Sequence, residues 1–221
     1  MADDESPFSD IESSLKKTAA ALREADIPFL LGGSLASWAR GGPETRHDLD
    51  LMIKQEDAER ALEALEASGM RREIPPEEWL VKAWDGDVLV DLIFSPKGLP
   101  ITDEVIARGE DMAVLSMHMR VMALEDVIST KLMAITEHHL RYETLIAIAR
   151  ALRERIDWDD IRARTWSSPF ARAFFVMLEG LEILAPADGP PTIAPNAESG
   201  AINGASVRVV GNAGSTASSA G

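Results

Sequence analysis

The sequence predicts an α/β fold in which strands with helices come first and a helical bundle follows. Two observations carry this. Short apolar runs bounded by glycine, proline and aspartate occupy residues 29–31, 49–53 and 88–94, the pattern of buried strands. From Leu124 the apolar spacing becomes that of helices and stays so to Leu184. The predicted division is a core over residues 1–123, a helical domain over 124–185 and a disordered tail over 186–221.

The elements follow in order. Ser9-x-x-Glu12 reads as a capping box, and Ile11, Leu15 and Leu22 recur at helical spacing to about Ala25. Pro28 breaks that helix, and residues 29–31 form a short strand. Gly32-Gly33-Ser34 turns the strand into a second helix over 35–40, and Gly41-Gly42-Pro43 is a loop. Residues 49–53 are a strand, and 56–68 an amphipathic helix ended by Gly69. Residues 79–84 and 88–94 flank Asp85-Gly86-Asp87, a hairpin signal. Residues 113–121 supply one or two more strands joined near Ser116. Helices are then expected over 124–136, 140–156, 158–165 and 169–184. From Pro186 the chain is mostly Pro, Gly, Ala, Ser and Asn, too poor in large apolar groups to offset the entropy of ordering.

Composition narrows the function. The net charge is −15, of which the tail contributes only −1 through Asp188, Glu198 and Arg208. Such a chain repels a polyanion at long range, so duplex nucleic acid is a poor partner and a cationic or neutral acceptor fits more easily. There is no cysteine, which excludes disulfides and thiolate metal sites. No apolar run is long enough for a membrane span, and the acidic N-terminus does not read as a signal peptide, so a cytoplasmic location is expected.

Three features together point to chemistry. The first is the strand-to-helix turn Gly32-Gly33-Ser34, where glycine allows close backbone approach and the helix start offers N–H groups to phosphate. Alone it is an ordinary turn. The second is Asp48-Leu49-Asp50, whose carboxylates face one way from a strand start while Leu49 and Leu51 face the core. Two carboxylates that close repel unless a cation sits between them, and magnesium takes such oxygen ligands. Alone the pair reads more readily as a solvated turn before a strand, since Asp is usually exposed. The third is Asp91 inside the apolar run 88–94, where a carboxylate is costly to bury unless paired, protonated or bound to metal. An edge strand would leave it facing solvent instead.

In combination, Gly32-Gly33-Ser34, Asp48-x-Asp50 starting 14 residues after Ser34, and a later lone strand Asp resemble the DNA polymerase β-like nucleotidyltransferase superfamily. Arg46 before the acidic pair adds to the likeness. The length and helical C-terminal part resemble its small bacterial members, the antibiotic nucleotidyltransferases and AbiEii-type toxins. The resemblance implies a mixed sheet flanked by helices, and transfer of an NMP from an NTP such as ATP to an acceptor with two Mg2+ ions. It implies that Gly32, Gly33, Ser34 and Arg46 hold the nucleotide and that Asp48 and Asp50 bind both metals. Asp91 would be ligand and base.

Leu124 followed seven residues on by Lys131-Leu132 resembles the AbiEii-type helix whose lysine reaches the site, which implies a phosphate contact for Lys131. A following Arg-x-x-Asp-Leu pattern is replaced here by Arg141-Tyr142-Glu143-Thr144-Leu145, with Glu143 the stand-in.

A small cationic acceptor such as an aminoglycoside is the leading expectation. A toxin-like transferase acting on tRNA or protein is the second, and a non-catalytic nucleotide-binding antitoxin module the third. The other polar and sulfur groups read as structural. His138-His139 are expected side by side on a helix, facing apart, and His47 in an exposed loop. Met112, Met117, Met119 and Met122 are expected to fill core gaps. Arg150, Arg153 and Arg155, interleaved with acids, are expected on a solvated face.

Overall fold

The computed structural model describes residues 9–43, 48–97 and 99–186. The strands are β1 (Phe29–Leu31), β2 (Leu49–Ile53), β3 (Arg71–Glu73), β4 (Leu80–Asp85), β5 (Val88–Ile93), β6 (Glu110–Val114) and β7 (Met117–Val121). The helices are α1 (Ser9–Glu24), α2 (Gly33–Trp38), α3 (Ala58–Ala67), α4 (Asp103–Arg108), α5 (Leu124–Met133), α6 (Glu143–Leu152), α7 (Trp158–Thr165) and α8 (Pro169–Gly180). The strands form one sheet in the order β3-β4-β5-β2-β1-β7-β6. It is mixed: β2–β5 and β1–β7 pair in parallel, the other neighbours antiparallel. The expected α/β architecture, with a mixed sheet and a helical C-terminal part, is the one observed.

Alternation explains the sheet. Leu49 and Leu51 of β2, and Val90 and Leu92 of β5, are fully buried, while the aspartates between them are only partly buried. One apolar cluster runs from Ile11 to Met122 and adds Val127; a second runs from Leu124 to Ile183. Helix α5 therefore gives Val127 to the first and Leu124, Ile128 and Leu132 to the second. Met119 and Met122 are buried in the first cluster, and Met112 and Met117 pack against it. No described helix is long and apolar enough to cross a membrane.

Several expectations need correction. Strand β3 was not expected, because Arg71-Arg72-Glu73 has no apolar residue; it is an edge strand that forms only by pairing with β4. Helix α4 was also missed, although Thr102 caps it through the Val105 N–H at 3.4 Å. Helix α6 is shorter than 140–156. Tyr142 at its start is pinned to α8, donating to the Phe170 carbonyl at 3.0 Å and stacking on Phe174. At its other end residues 153–155 tighten into a 3-10 turn.

His138 and His139 are not on a helix. They follow α5 in a turn closed by the bridge between Thr136 and His139. Arg155 is more than a solvated charge, because it donates to the Arg40 carbonyl at 2.8 Å and ties the two parts of the chain together. Arg46 and His47, and the tail from residue 187, lie outside the described residues.

Candidate active site

The site gathers where β1 ends and β2 begins. At the turn into α2, the Gly32 N–H donates to the Asp50 carbonyl at 2.8 Å, stitching the turn to β2. Gly33 has φ +58, and a Cβ there would lie 1.7 Å from Oδ2 of Asp50. Only glycine accepts both the backbone angle and that approach. Ser34 follows in the first turn of α2, and its Oγ accepts a hydrogen bond from Lys131 Nζ of α5 at 3.1 Å. Two segments 97 residues apart in sequence thus meet at the glycine turn.

Asp50 and Asp91 are register partners on the parallel strands β2 and β5, so both carboxylates leave the same face about one strand spacing, ~4.8 Å, apart. Asp48, exposed one residue before β2, lies near enough for its charge to act on both. Burial pushes the Asp50 carboxyl up to about 6; the charges of Asp91 and Asp48 add to this, while those of Lys131 and Lys82 oppose it. Burial also raises Asp91, against the hydrogen bond and charge of Lys82, with Asp48 and Glu77 adding to the rise. Burial lowers Lys131, and Asp50 partly restores it.

Lys82 was not singled out from the sequence. It is the β4 partner of Asp91, with Nζ 3.0 Å from Asp91 Oδ1. The signal was present: a two-residue turn at Gly86-Asp87 pairs Asp85 with Val88, and the same register leads to Lys82 opposite Asp91. Glu143 is exposed at the start of α6.

The donor set suits a hard divalent cation. The charged form of Asp50 is disfavoured chiefly by burial and further by the charges of Asp91 and Asp48, which a bound cation would offset. The Asp50 carboxylate packs directly against the Gly33 backbone, an approach that needs a residue without a Cβ. Among the described residues no three such groups stand close enough to make a finished metal cage, and Asp91 is engaged by Lys82.

A mixed sheet carrying paired carboxylates beside a glycine-serine turn is the arrangement that the resemblance in sequence implied. A family model described as "Uncharacterised nucleotidyltransferase" matches residues 11–185, and the chain belongs to that family. No curated protein matches by sequence. The fold is similar to the crystal structure of ANT(2″)-Ia in complex with adenylyl-2″-tobramycin, with 18% identity, TM-score 0.53, and coverage of 75% of this chain and 97% of that one. It is likewise similar to the solution structure of the antibiotic-resistance factor ANT(2″)-Ia, with 20% identity, TM-score 0.52, and coverage of 77% and 96%. At these identities the likeness establishes the shared fold.

Proposed function

We propose that the protein moves an NMP from an NTP to a small, cationic acceptor, with Asp48, Asp50 and Asp91 as the acidic centre. The observation that carries this is the juxtaposition of Asp50 and Asp91 in register, beside a Gly33 that could carry no side chain. Gly32, Gly33 and Ser34 receive the triphosphate together with Lys131, whose ammonium already reaches Ser34. Arg46 is assigned to the same nucleotide.

Asp48 and Asp50 would hold two Mg2+ ions, with Asp91 joining them; when bound, such ions neutralise the triphosphate and clamp the attacking and leaving oxygens. Asp91 orients the acceptor hydroxyl and takes its proton. The hydroxyl oxygen then attacks the α-phosphorus, and the bond to pyrophosphate breaks. Chemistry of this kind depends mainly on positioning and charge neutralisation.

An acceptor carrying ammonium groups is favoured by the charge of −15. The similarity to a fold solved with an adenylylated aminoglycoside supports the same class. We divide the chain into a catalytic core to residue 123 and a helical domain over 124–185, with the acceptor between them. We place the reaction in the cytoplasm, where NTPs and magnesium are both supplied.

The test is incubation with Mg2+, each of the four α-labelled NTPs and a panel of aminoglycosides, read by mass spectrometry. The expected result is a product heavier by one NMP that Asp91→Asn abolishes, with the rate falling by about 10²–10⁴ or more. Labelling of tRNA or protein instead would replace the small-molecule reading with a toxin-like one. No NMP transfer to any acceptor would overturn the assignment.

A further inference from the structure

We propose that Lys82 is a built-in counter-cation for Asp91, holding that carboxylate in the free protein and yielding it when a divalent cation enters with nucleotide. This rests on the reading of Asp91 as a metal ligand. Asp91 lies between two register partners, the cation Lys82 on β4 and the anion Asp50 on β2. The Lys82 and Asp91 side chains are only 18% and 13% exposed, so the pair is held within the fold and not merely adjacent in solvent. Without the ammonium, Asp91 would face Asp50 across neighbouring strands without the ion pair that offsets their repulsion.

The same contact sets an order of assembly. While Lys82 holds Asp91 Oδ1, that oxygen is not free for a cation. A divalent cation arriving alone has to displace the ammonium and leave it unpaired. A cation arriving with a triphosphate brings anionic oxygens that can receive it. Metal and nucleotide therefore bind cooperatively, with the Lys82–Asp91 pair as the element that couples them. Lys82 is in this sense a positioning residue.

The experiment is Mn2+ binding to the full-length chain, read from the EPR signal of free Mn2+, with and without α,β-methylene-ATP. Wild type is expected to bind Mn2+ weakly alone and much more tightly with the analogue. Lys82→Gln is expected to bind Mn2+ alone at least about tenfold more tightly than wild type, the scale of one lost ionic competitor in a partly buried site. It is also expected to lose most of the enhancement by the analogue. Lys82→Arg, which keeps the pair, should behave as wild type.

Equal Mn2+ affinity of wild type and Lys82→Gln without nucleotide overturns the inference and leaves the proposed function standing. Wild type that takes up no Mn2+ even with the analogue, or Asp91→Asn that takes it up as wild type does, overturns the metal reading and this inference with it. If Lys82→Gln does not fold, the wild-type Lys82 15Nζ resonance decides. Loss of its coupling to Asp91 on addition of Mg2+ and the analogue supports displacement; persistence overturns it.

Discussion

Asp50 carries the strain of the free site. Burial lifts its carboxyl from 3.8 to about 6. Between those values the folded chain binds the proton more tightly than the unfolded one, so this group's contribution to stability falls as pH rises from about 4 through about 6. Asp50→Asn removes that ionisation while keeping the shape. The variant should melt higher than wild type at pH 8 without divalent cations, by a few degrees, since about 1 kcal/mol is worth roughly 2–4 °C at this chain length. The difference should shrink toward pH 4. Thermal melts across that range check it, and a variant less stable than wild type at pH 8 would mean that Asp50 is stabilised by partners stronger than its desolvation.

Among the elements, the hairpin β6–β7 has the least accommodating turn. It passes through Leu115 and Ser116, both non-glycine residues with φ in the left-handed region, at 45° and 65°. Turns of this hand suit glycine and asparagine, and holding another residue there costs about 1–3 kcal/mol. Leu115 packs against the core and earns its place; Ser116 has no such role in that cluster. Ser116→Gly should stabilise the chain by about 1 kcal/mol, seen as a higher denaturant midpoint with an unchanged slope. The hairpin β4–β5 follows the more familiar rule, with Gly86 at φ +60 in a two-residue turn. That turn was readable from Asp85-Gly86-Asp87, and the register it imposes is what brings Lys82 to Asp91.

Across the whole molecule, the two parts are joined by a buried acid. Asp126 of α5 is 1% exposed; it accepts from Arg108 of α4, with contacts of 3.0 and 3.2 Å, and from Arg164 of α7 at 2.5 Å. Both arginines are partly exposed, so either can turn to water if the acid is lost, whereas the acid cannot. Arg108→Ala or Arg164→Ala should therefore each cost about 3 kcal/mol, because a buried carboxylate loses a partner, and Asp126→Ala clearly less, because both arginines can turn to water. Urea melts of the three variants test this, and equal losses for all three would show that the cluster acts as pairs without a centre.

The sequence by itself determined the alternation of β2 and β5, the glycine turn and the helices α1, α5, α7 and α8 within a few residues, and it singled out the three aspartates as candidates. These follow from local spacing: period two puts Asp50 on the face opposite to Leu49 and Leu51, and glycine marks the turn wherever it stands. Tertiary structure alone decided that Asp91 is opposite Asp50, that Lys131 reaches Ser34 across 97 residues, and that Lys82 holds Asp91. It also decided that Arg71-Arg72-Glu73 is a strand and that α6 begins at Glu143. The reason is physical. An edge strand without apolar residues exists only through its partner's hydrogen bonds, and a charge is placed by whichever strand or helix packs beside it, which no spacing along a single chain records.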